Sequence, residues 1–552
     1  MRSRISILRR LAFSLFLVAA AGLPGLARGQ VRIPPAALVD VAELESILRV
    51  GDQLEQERRW GEALTHYEKA RKEHPDRQEI EHRLTVARFH YEVVRRYSDT
   101  SFLEAVRTMG EQGSLDLYGE VLLKIQAHHV QRPDWNQLLR HGLTAIEVAF
   151  AEPSFRQQHN FTLPEAVSQS LLKEIHHQLK SQPTYSRHDA RQRVGEVAEI
   201  FERQCRLPAA VTVAEFTCAA VASLDDYSAF LTGNQLDDIL SQIEGNFVGL
   251  GIELKAEDQA LRIVSVIPGG PAQQGGIQFG DRIVEVDGQS TRDISTDKAA
   301  DLLKGVEGSF VDLVLLDRQD KARRLRLART RVDVPSVDNI QLVDKDYGIG
   351  YFRLTSFQKT TNRDVDAALW KLHQQGMRSL IVDVRGNPGG LLTASVEVAD
   401  KFVSQGGIVS TRGRSSGEDF DYKAHAVGTW RVPLIVLIDG DSASASEIFA
   451  GAIHDHRRGT LVGTRSYGKG SVQGIFPLSA VNAGVRLTTA KFYSPSGQPI
   501  SYRGVEPDVE VKASDQSSVA KPIDGLLPIA EQQHDAALTA SLQIARQQLG
   551  PR

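Results

Sequence analysis

Cysteine is almost missing from this chain: Cys205 and Cys218 are its only two among 552 residues, so disulfides cannot be its framework. An exported protein could pair the two or keep both as buried thiols, and the sequence leaves that choice open. An excess of positive charge is also missing. Lys plus Arg total 65 against 69 Asp plus Glu, a net charge of −4, which gives no electrostatic reason to expect nucleic acid as a partner. After the N-terminus no stretch approaches the ~20 apolar residues of a membrane span. Metal-ligand spacing is absent from the adjacent pairs His128-His129 and His176-His177, because neighbours in a helix point to different faces; both pairs read as solvated or half-buried. The glycines around Lys469 lack the run and trailing helix of a phosphate loop. No metal or cofactor is implied.

What is present is an ordinary folded composition, 41% hydrophobic and 24% charged, in a chain long enough for several cores. Arg2, Arg4, Arg9 and Arg10 precede an uncharged stretch from Leu11 to Ala27, and Ala27-Arg28-Gly29 offers the small residues of a cleavage site. Residues 1–29 therefore read as a signal peptide, with an uncleaved anchor as the other reading. Arg9-Arg10 is a weak hint of the twin-arginine route. Export to a periplasm or cell envelope is expected, with no membrane span in the mature chain.

The fold expected is multidomain α+β: an all-α N-terminal region, a small β module and an α/β core. In segment 30–95, Gly51, Trp60-Gly61, Ala63, Tyr67, Ala70 and Pro75 are spaced as in a tetratricopeptide (TPR) repeat. One repeat cannot form a stack, so this is a TPR-like hairpin or a helical spacer. Segment 96–240 continues as helices, with Leu117, Val121, Leu122 and Ile125 on one face. In segment 241–331, glycine-rich turns separate short strands, with a short helix from Asp297 to Leu303. Pro268-Gly269-Gly270-Pro271-Ala272 followed by Gly280-Asp281-Arg282-Ile283 resembles a bacterial PDZ domain. That resemblance implies that exposed amides at Gly249, Leu250 and Gly251 take a terminal carboxylate, while the peptide adds as a strand beside Ile252. Segment 332–513 alternates strands and helices, which places reactive groups at the carboxyl ends of strands. Segment 514–552 reads as a polar helical tail, a surface appendage.

Two stretches of the α/β region invite chemistry. Asp441-Ser442-Ala443-Ser444-Ala445-Ser446-Glu447 follows a buried strand and opens a helix, where charge developing on a serine oxygen is stabilised. Read locally, these are ordinary N-cap residues. Gly468-Lys469-Gly470 is, taken alone, a solvated lysine. Together they mean more: a serine needs a base, and a buried lysine can lose its proton near neutral pH. The Asn387-Pro388-Gly389-Gly390 loop could supply amides for the oxyanion.

The ordered motifs from Asp225 to Val511 resemble the carboxyl-terminal processing protease family of Ser-Lys endopeptidases, assigned to peptidase family S41. They include Asp225-Asp226-Tyr227-Ser228, Asp383-Val384-Arg385-Gly386-Asn387-Pro388-Gly389-Gly390, the Ser444 and Lys469 stretches, and Lys491-Phe492-Tyr493-Ser494-Pro495-Ser496-Gly497. The resemblance implies Ser444 as nucleophile, Lys469 as general base 25 positions on, and Gln473 orienting the lysine. It implies oxyanion donors at Gly390, Ala445 and Gly389, and protein or peptide substrates with accessible C-termini. Glu447 and Asp455 fall where the family carries supporting acids, and otherwise read as helix solubility and N-terminal charge. Gly386 and the Asp439-Gly440-Asp441 turn depart from the family's usual residues without touching a stated role. Family analogy also suggests homo-oligomers formed through the helical regions. The rival reading is a non-catalytic PDZ and helical-repeat adaptor on a protease-like fold.

Overall fold

Alternation of apolar and charged residues at helical period makes the first part of the chain a succession of helices. The computed structural model describes residues 35–257, 260–292, 302–512 and 535–550. The expected signal segment and most of the helix expected over 297–303 lie outside these residues. The chain divides into two units, residues 1–80 and 81–552.

The first unit is a helical hairpin of α1 (Pro35–Gln56) and α2 (Trp60–Glu73). The helices approach closely at Gly51, where a Cβ would fall 2.0 Å from the Tyr67 hydroxyl oxygen. Tyr67 is fully buried and its hydroxyl donates to Glu55 Oε1 at 2.8 Å. The small residue and the aromatic in the expected repeat spacing therefore do meet.

The second unit holds α3 (Gln78–Tyr97) from Glu81 onward, then α4 (Thr100–Thr108), α5 (Glu111–His128), α6 (Trp135–Ala151), α7 (Pro153–Gln158), α8 (Glu165–Ser181), α9 (Arg187–Cys205) and α10 (Ala209–Ala222). In α10 every residue from Ala209 to Val221 is buried, because the sequence is apolar all round and α5, α6 and α9 enclose it. Its one carboxylate, Glu215, is paired with Arg96 at 2.6 Å. Cys205 and Cys218 are free thiols, and burial pushes Cys218 up to about 12.

A short strand β1 (Ala229–Leu231) and α11 (Gly233–Glu244) lead to the β module. Strand β2 (Asn246–Gly249) pairs with β9 (Thr330–Asp333) at the base of the module, so its entry and exit are joined. Between them run β3 (Ile252–Glu257), β4 (Ala260–Val266), α12 (Pro271–Gln274), β5 (Arg282–Val286), β6 (Gln289–Ser290), β7 (Phe310–Leu316) and β8 (Ala322–Ala328). The sheet order is β3-β4-β5-β7-β8, with β6 on β5, and β3 is an edge strand.

The α/β core holds β10 (Val337–Asp344), β11 (Ile349–Leu354), α13 (Thr361–Gln374), β12 (Ser379–Asp383), α14 (Leu392–Asp400), β13 (Gly407–Gly413), β14 (Phe420–Lys423), β15 (Leu434–Ile438), α15 (Ala445–Asp455), β16 (Thr460–Gly463), β17 (Ser471–Pro477), β18 (Gly484–Tyr493), β19 (Val509–Glu510) and α16 (Ala536–Leu549). One sheet runs β10-β11-β12-β15-β16-β19, parallel except for β10. Its strands are apolar on both faces because both are covered. Leu380, Val382, Val436 and Ile438 share a core with α13, α14 and α15, while Ile381, Ile435, Leu437 and Val462 share one with Ala537, Leu538 and Ala545 of α16. The C-terminal helix is thus the second cover of the sheet and not a surface appendage. A second sheet, β1-β18-β13-β14 with β17 on β18, joins the helical region to the core through β1, and Val485 and Leu487 of β18 enter the helical core.

Candidate active site

Three loops leave the carboxyl ends of the neighbouring parallel strands β12, β15 and β16 and converge. The loop after β15 carries Ser444, half-buried, with φ 56° and ψ −112°. A non-glycine residue in that region stores strain of about 1–3 kcal/mol and is held there by its surroundings. Asp439 Oδ1 accepts the amides of Ser442, Asp441 and Gly386 at 3.0, 3.1 and 3.0 Å, and Ser442 Oγ donates to Val384 O at 2.8 Å. Helix α15 starts immediately after, so its positive end faces the serine.

The loop after β12 is sewn to this one. Asn387 is fully buried, donates through Nδ2 to Leu354 O at 2.8 Å, and its carbonyl accepts Ala443 N and Ser446 Oγ at 3.0 and 2.9 Å. Gly389 lies against the serine, where a Cβ would fall 2.8 Å from Ser444 Cβ and 2.9 Å from Ala445 N. The Gly389 amide, however, donates to Asn387 Oδ1 at 2.9 Å, which takes it away from an oxyanion. Gly390, at φ 139°, is exposed and pairs with Phe357 so tightly that a Cβ would sit 2.1 Å from Phe357 O. The amides of Gly390 and Ala445 donate to no group among the described residues. Of the three expected donors these two remain available.

The loop after β16 carries Lys469 between glycines that have no room for a side chain: a Cβ on Gly470 would lie 2.2 Å from Ser501 N, and one on Gly468 3.2 Å from the Tyr502 backbone. Tyr467 N donates to Ser442 O at 3.0 Å. Burial lowers the Lys469 pKa to about 8, aided by the charge of Arg486 and opposed by Glu447. Its Nζ lies 5.1 Å from the centre of the Tyr227 ring, and Arg486 Nε donates to Tyr227 O at 2.8 Å. Among the described residues no hydrogen bond joins Lys469 Nζ to Ser444 Oγ, and Gln473 Nε2 donates to Ser471 Oγ at 2.9 Å instead of meeting the lysine. The structure brings the serine loop and the lysine loop together, but not these side-chain ends.

Glu447 is the residue whose part local sequence underrates. It is fully buried, and burial raises its pKa against the hydrogen bonds that oppose the rise. Its carboxylate accepts the Ser444 and Lys469 amides at 2.8 and 2.9 Å through Oε2, and Ser466 Oγ and the Gly468 amide, each at 2.6 Å, through Oε1. One carboxylate therefore ties the two loops together, and it is not a solubility residue. Asp455, at the far end of α15, accepts Ser496 N at 2.9 Å. His454 and His456 also lie at that far end, about 15 Å from Ser444 by helical rise.

The helical region reaches the site through Tyr227. His129 is buried and its Nε2 lies 2.9 Å from Asp225 Oδ2, so it is not a solvated histidine. Burial would raise Asp225, but hydrogen bonds from His129, the Tyr227 amide and Ser228 outweigh it and bring the pKa to about 2. This brace sets the Tyr227 backbone beside β18. In the β module, Gly249, Leu250 and Gly251 are buried and Ile252 is half-buried. The Leu250 and Gly251 carbonyls accept Ala272 N and Ile267 N at 2.9 and 2.8 Å, while the amides of these two residues donate to no group among the described residues. No group of three or more His, Cys, Asp or Glu that could hold a metal occurs among the described residues.

Residues 348–511 match the family described as peptidase family S41, and 262–317 match the PDZ domain. A carboxy-terminal-processing protease of Bartonella bacilliformis is 40% identical over 52% of this chain and 67% of its own. A carboxyl-terminal-processing protease of Synechocystis is 34% identical over 55% of this chain and 72% of its own. Among solved structures, a photosystem II D1 C-terminal processing protease is 25% identical over 72% of this chain and 93% of that one, with a TM-score of 0.36, too low to compare domain arrangement. The chain belongs to peptidase family S41, as a serine-type endopeptidase of the carboxyl-terminal processing group.

Proposed function

We propose that Ser444 is the nucleophile, Lys469 its general base, and the amides of Gly390 and Ala445 the oxyanion donors. The observation that carries this reading is the junction at Glu447, which holds the Ser444 and Lys469 backbones on one carboxylate at 2.8 and 2.9 Å. In this mechanism the lysine side chain turns from the Tyr227 ring toward Ser444 when substrate closes the cleft; proton-transfer contacts are commonly long in unliganded sites. Neutral Lys469 takes the Ser444 proton as Oγ attacks the peptide carbonyl. The developing oxyanion rests on Gly390 N and Ala445 N. Lys469 then protonates the leaving amine, and water releases the acyl group from Ser444. Gln473 holds the turned lysine. Gly389 supports the loop and donates to Asn387.

The PDZ module supplies substrate in this reading. A chain's C-terminus adds as a strand along the open edge of β3, starting beside Ile252, with the amides of the turn Gly249-Leu250-Gly251 taking the carboxylate. The leader exports the chain to a periplasm or cell envelope, and the TPR-like hairpin and neighbouring helices serve self-assembly. An unfolded protein digested by wild type and Ser444→Ala, with products mapped by mass spectrometry, tests the nucleophile. Cleavage by wild type alone is expected; equal cleavage by both would remove Ser444 from the mechanism. The same substrate with an amidated C-terminus should be cut more slowly, and an unchanged rate would remove the PDZ capture step.

A further inference from the structure

A cavity of about 400 Å3 opens at the far ends of α14 and α15, beside the segment that enters β15. Phe402, Ser404, Gln405, Arg431, His456 and Arg458 line it, and no carboxylate does. Arg458 is held in a fixed plane: Nε donates to Phe402 O at 2.9 Å, and one Nη donates to Trp430 O and Val432 O at 2.7 and 2.9 Å. Its other Nη donates to nothing among the described residues. Arg431 is exposed and likewise has no partner among them. His456 Nε2 lies 2.7 Å from Gly407 O, which fixes a proton on that nitrogen. Gly406, at φ 94°, leaves room for the ring, since a Cβ there would fall 2.7 Å from His456 Cε1.

Two guanidinium groups on one cavity without a carboxylate are an unbalanced charge, and a half-buried charge such as that of Arg458 is ordinarily paired. Guanidinium forks fit the oxygens of phosphate. The volume is far above the ~30 Å3 share of a water and within the range of small-molecule sites. Phe402 and Val403 are almost wholly buried behind it, and the exposed Ser404 and Gln405 add polar groups. We propose that this cavity binds a small phosphomonoester, with its phosphate between Arg431 and Arg458 and a polar organic part against Ser404 and Gln405.

The place in the fold gives the site a consequence. Helix α14 begins two residues after Gly390 and α15 begins immediately after Ser444. Each spans about 14–17 Å by helical rise before reaching the cavity. A ligand there ties together the far ends of the two helices whose near ends carry the oxyanion amides.

Calorimetric titration of the full chain carrying Ser444→Ala, which removes self-digestion, tests the site with inorganic phosphate and with glycerol 1-phosphate in chloride at matched ionic strength. Saturable 1:1 binding of the ester, tighter than phosphate, is expected. Arg431→Glu, at an exposed position, should weaken it at least tenfold without moving the melting midpoint, and Arg431→Gln should weaken it less. No saturable heat with either probe would overturn the proposal, as would undiminished binding in Arg431→Glu. Binding of inorganic phosphate with rejection of the ester would overturn the assignment to a phosphomonoester.

Discussion

On the serine side of the site the side chains that fix each loop are all engaged, whereas on the lysine side the backbone is fixed and the side-chain end is not. Asp439, Asn387 and Ser442 hydrogen-bond the loop of the proposed nucleophile, and Ser444 is kept at a strained φ of 56°. Lys469 has its amide on Glu447, yet its ammonium rests near Tyr227. The two halves of the proposed chemistry therefore draw their order from different sources. Oxyanion donors must be preorganised, because their worth comes from not moving during reaction. A base needs only to arrive, and a half-buried lysine with a pKa near 8 can do so uncharged.

Substitutions at the two ends should break this contrast most severely. Ser444→Ala and Lys469→Ala should each lower kcat/KM on the order of 10⁴-fold or more while the chain stays folded, as read by peptide turnover and thermal melting. Glu447→Gln replaces one acceptor oxygen by a donor opposite donating groups. It should cost about 3 kcal/mol of stability and roughly 10²-fold in kcat, measured by denaturant unfolding and steady-state kinetics. A kinetic loss without any loss of stability would separate Glu447 from the junction between the loops.

The next effects are smaller. Arg385 precedes the oxyanion loop and pairs with Asp383 at 2.6 Å and with Asp535, the cap of α16, at 2.8 Å. Asp535→Asn should therefore remove about 2 kcal/mol of stability by denaturant unfolding, because it leaves a mostly buried guanidinium half paired. On the lysine side, kcat/KM should rise with pH through about 8, since Lys469 acts only after losing its proton. Arg486→Gln removes a like charge that favours deprotonation, so this limb of the pH profile should move to higher pH. A limb that stays in place would take Arg486 out of the tuning of Lys469.

The parallel strands were legible because Leu434–Ile438 and Leu380-Ile381-Val382 are unbroken apolar runs that lead into glycine or serine loops. Serine and lysine were legible only as a pair, since each alone has an ordinary local reading. Glu447 was not, because the four donors that make it a junction come partly from a loop about twenty residues later. The C-terminal helix was misjudged for a related reason. Its Gln and Arg residues are polar, yet Ala537, Leu538 and Ala545 are buried against the sheet and Ala540, Leu542, Ile544 and Leu549 pack round them. In the glycine turn of the PDZ module the sequence shows the turn but not its packing, since Ala272 and Ile267, which hold the Leu250 and Gly251 carbonyls, lie 16 to 22 residues further on.

The account stands most directly on whether Lys469 activates Ser444. Reaction with a fluorophosphonate, followed across pH and located by mass spectrometry, measures that step without a substrate or the PDZ module. The account predicts labelling at Ser444 that rises with pH through about 8 in wild type and is lost in Lys469→Ala. Labelling of Ser444 that persists in Lys469→Ala with the same pH dependence would contradict it.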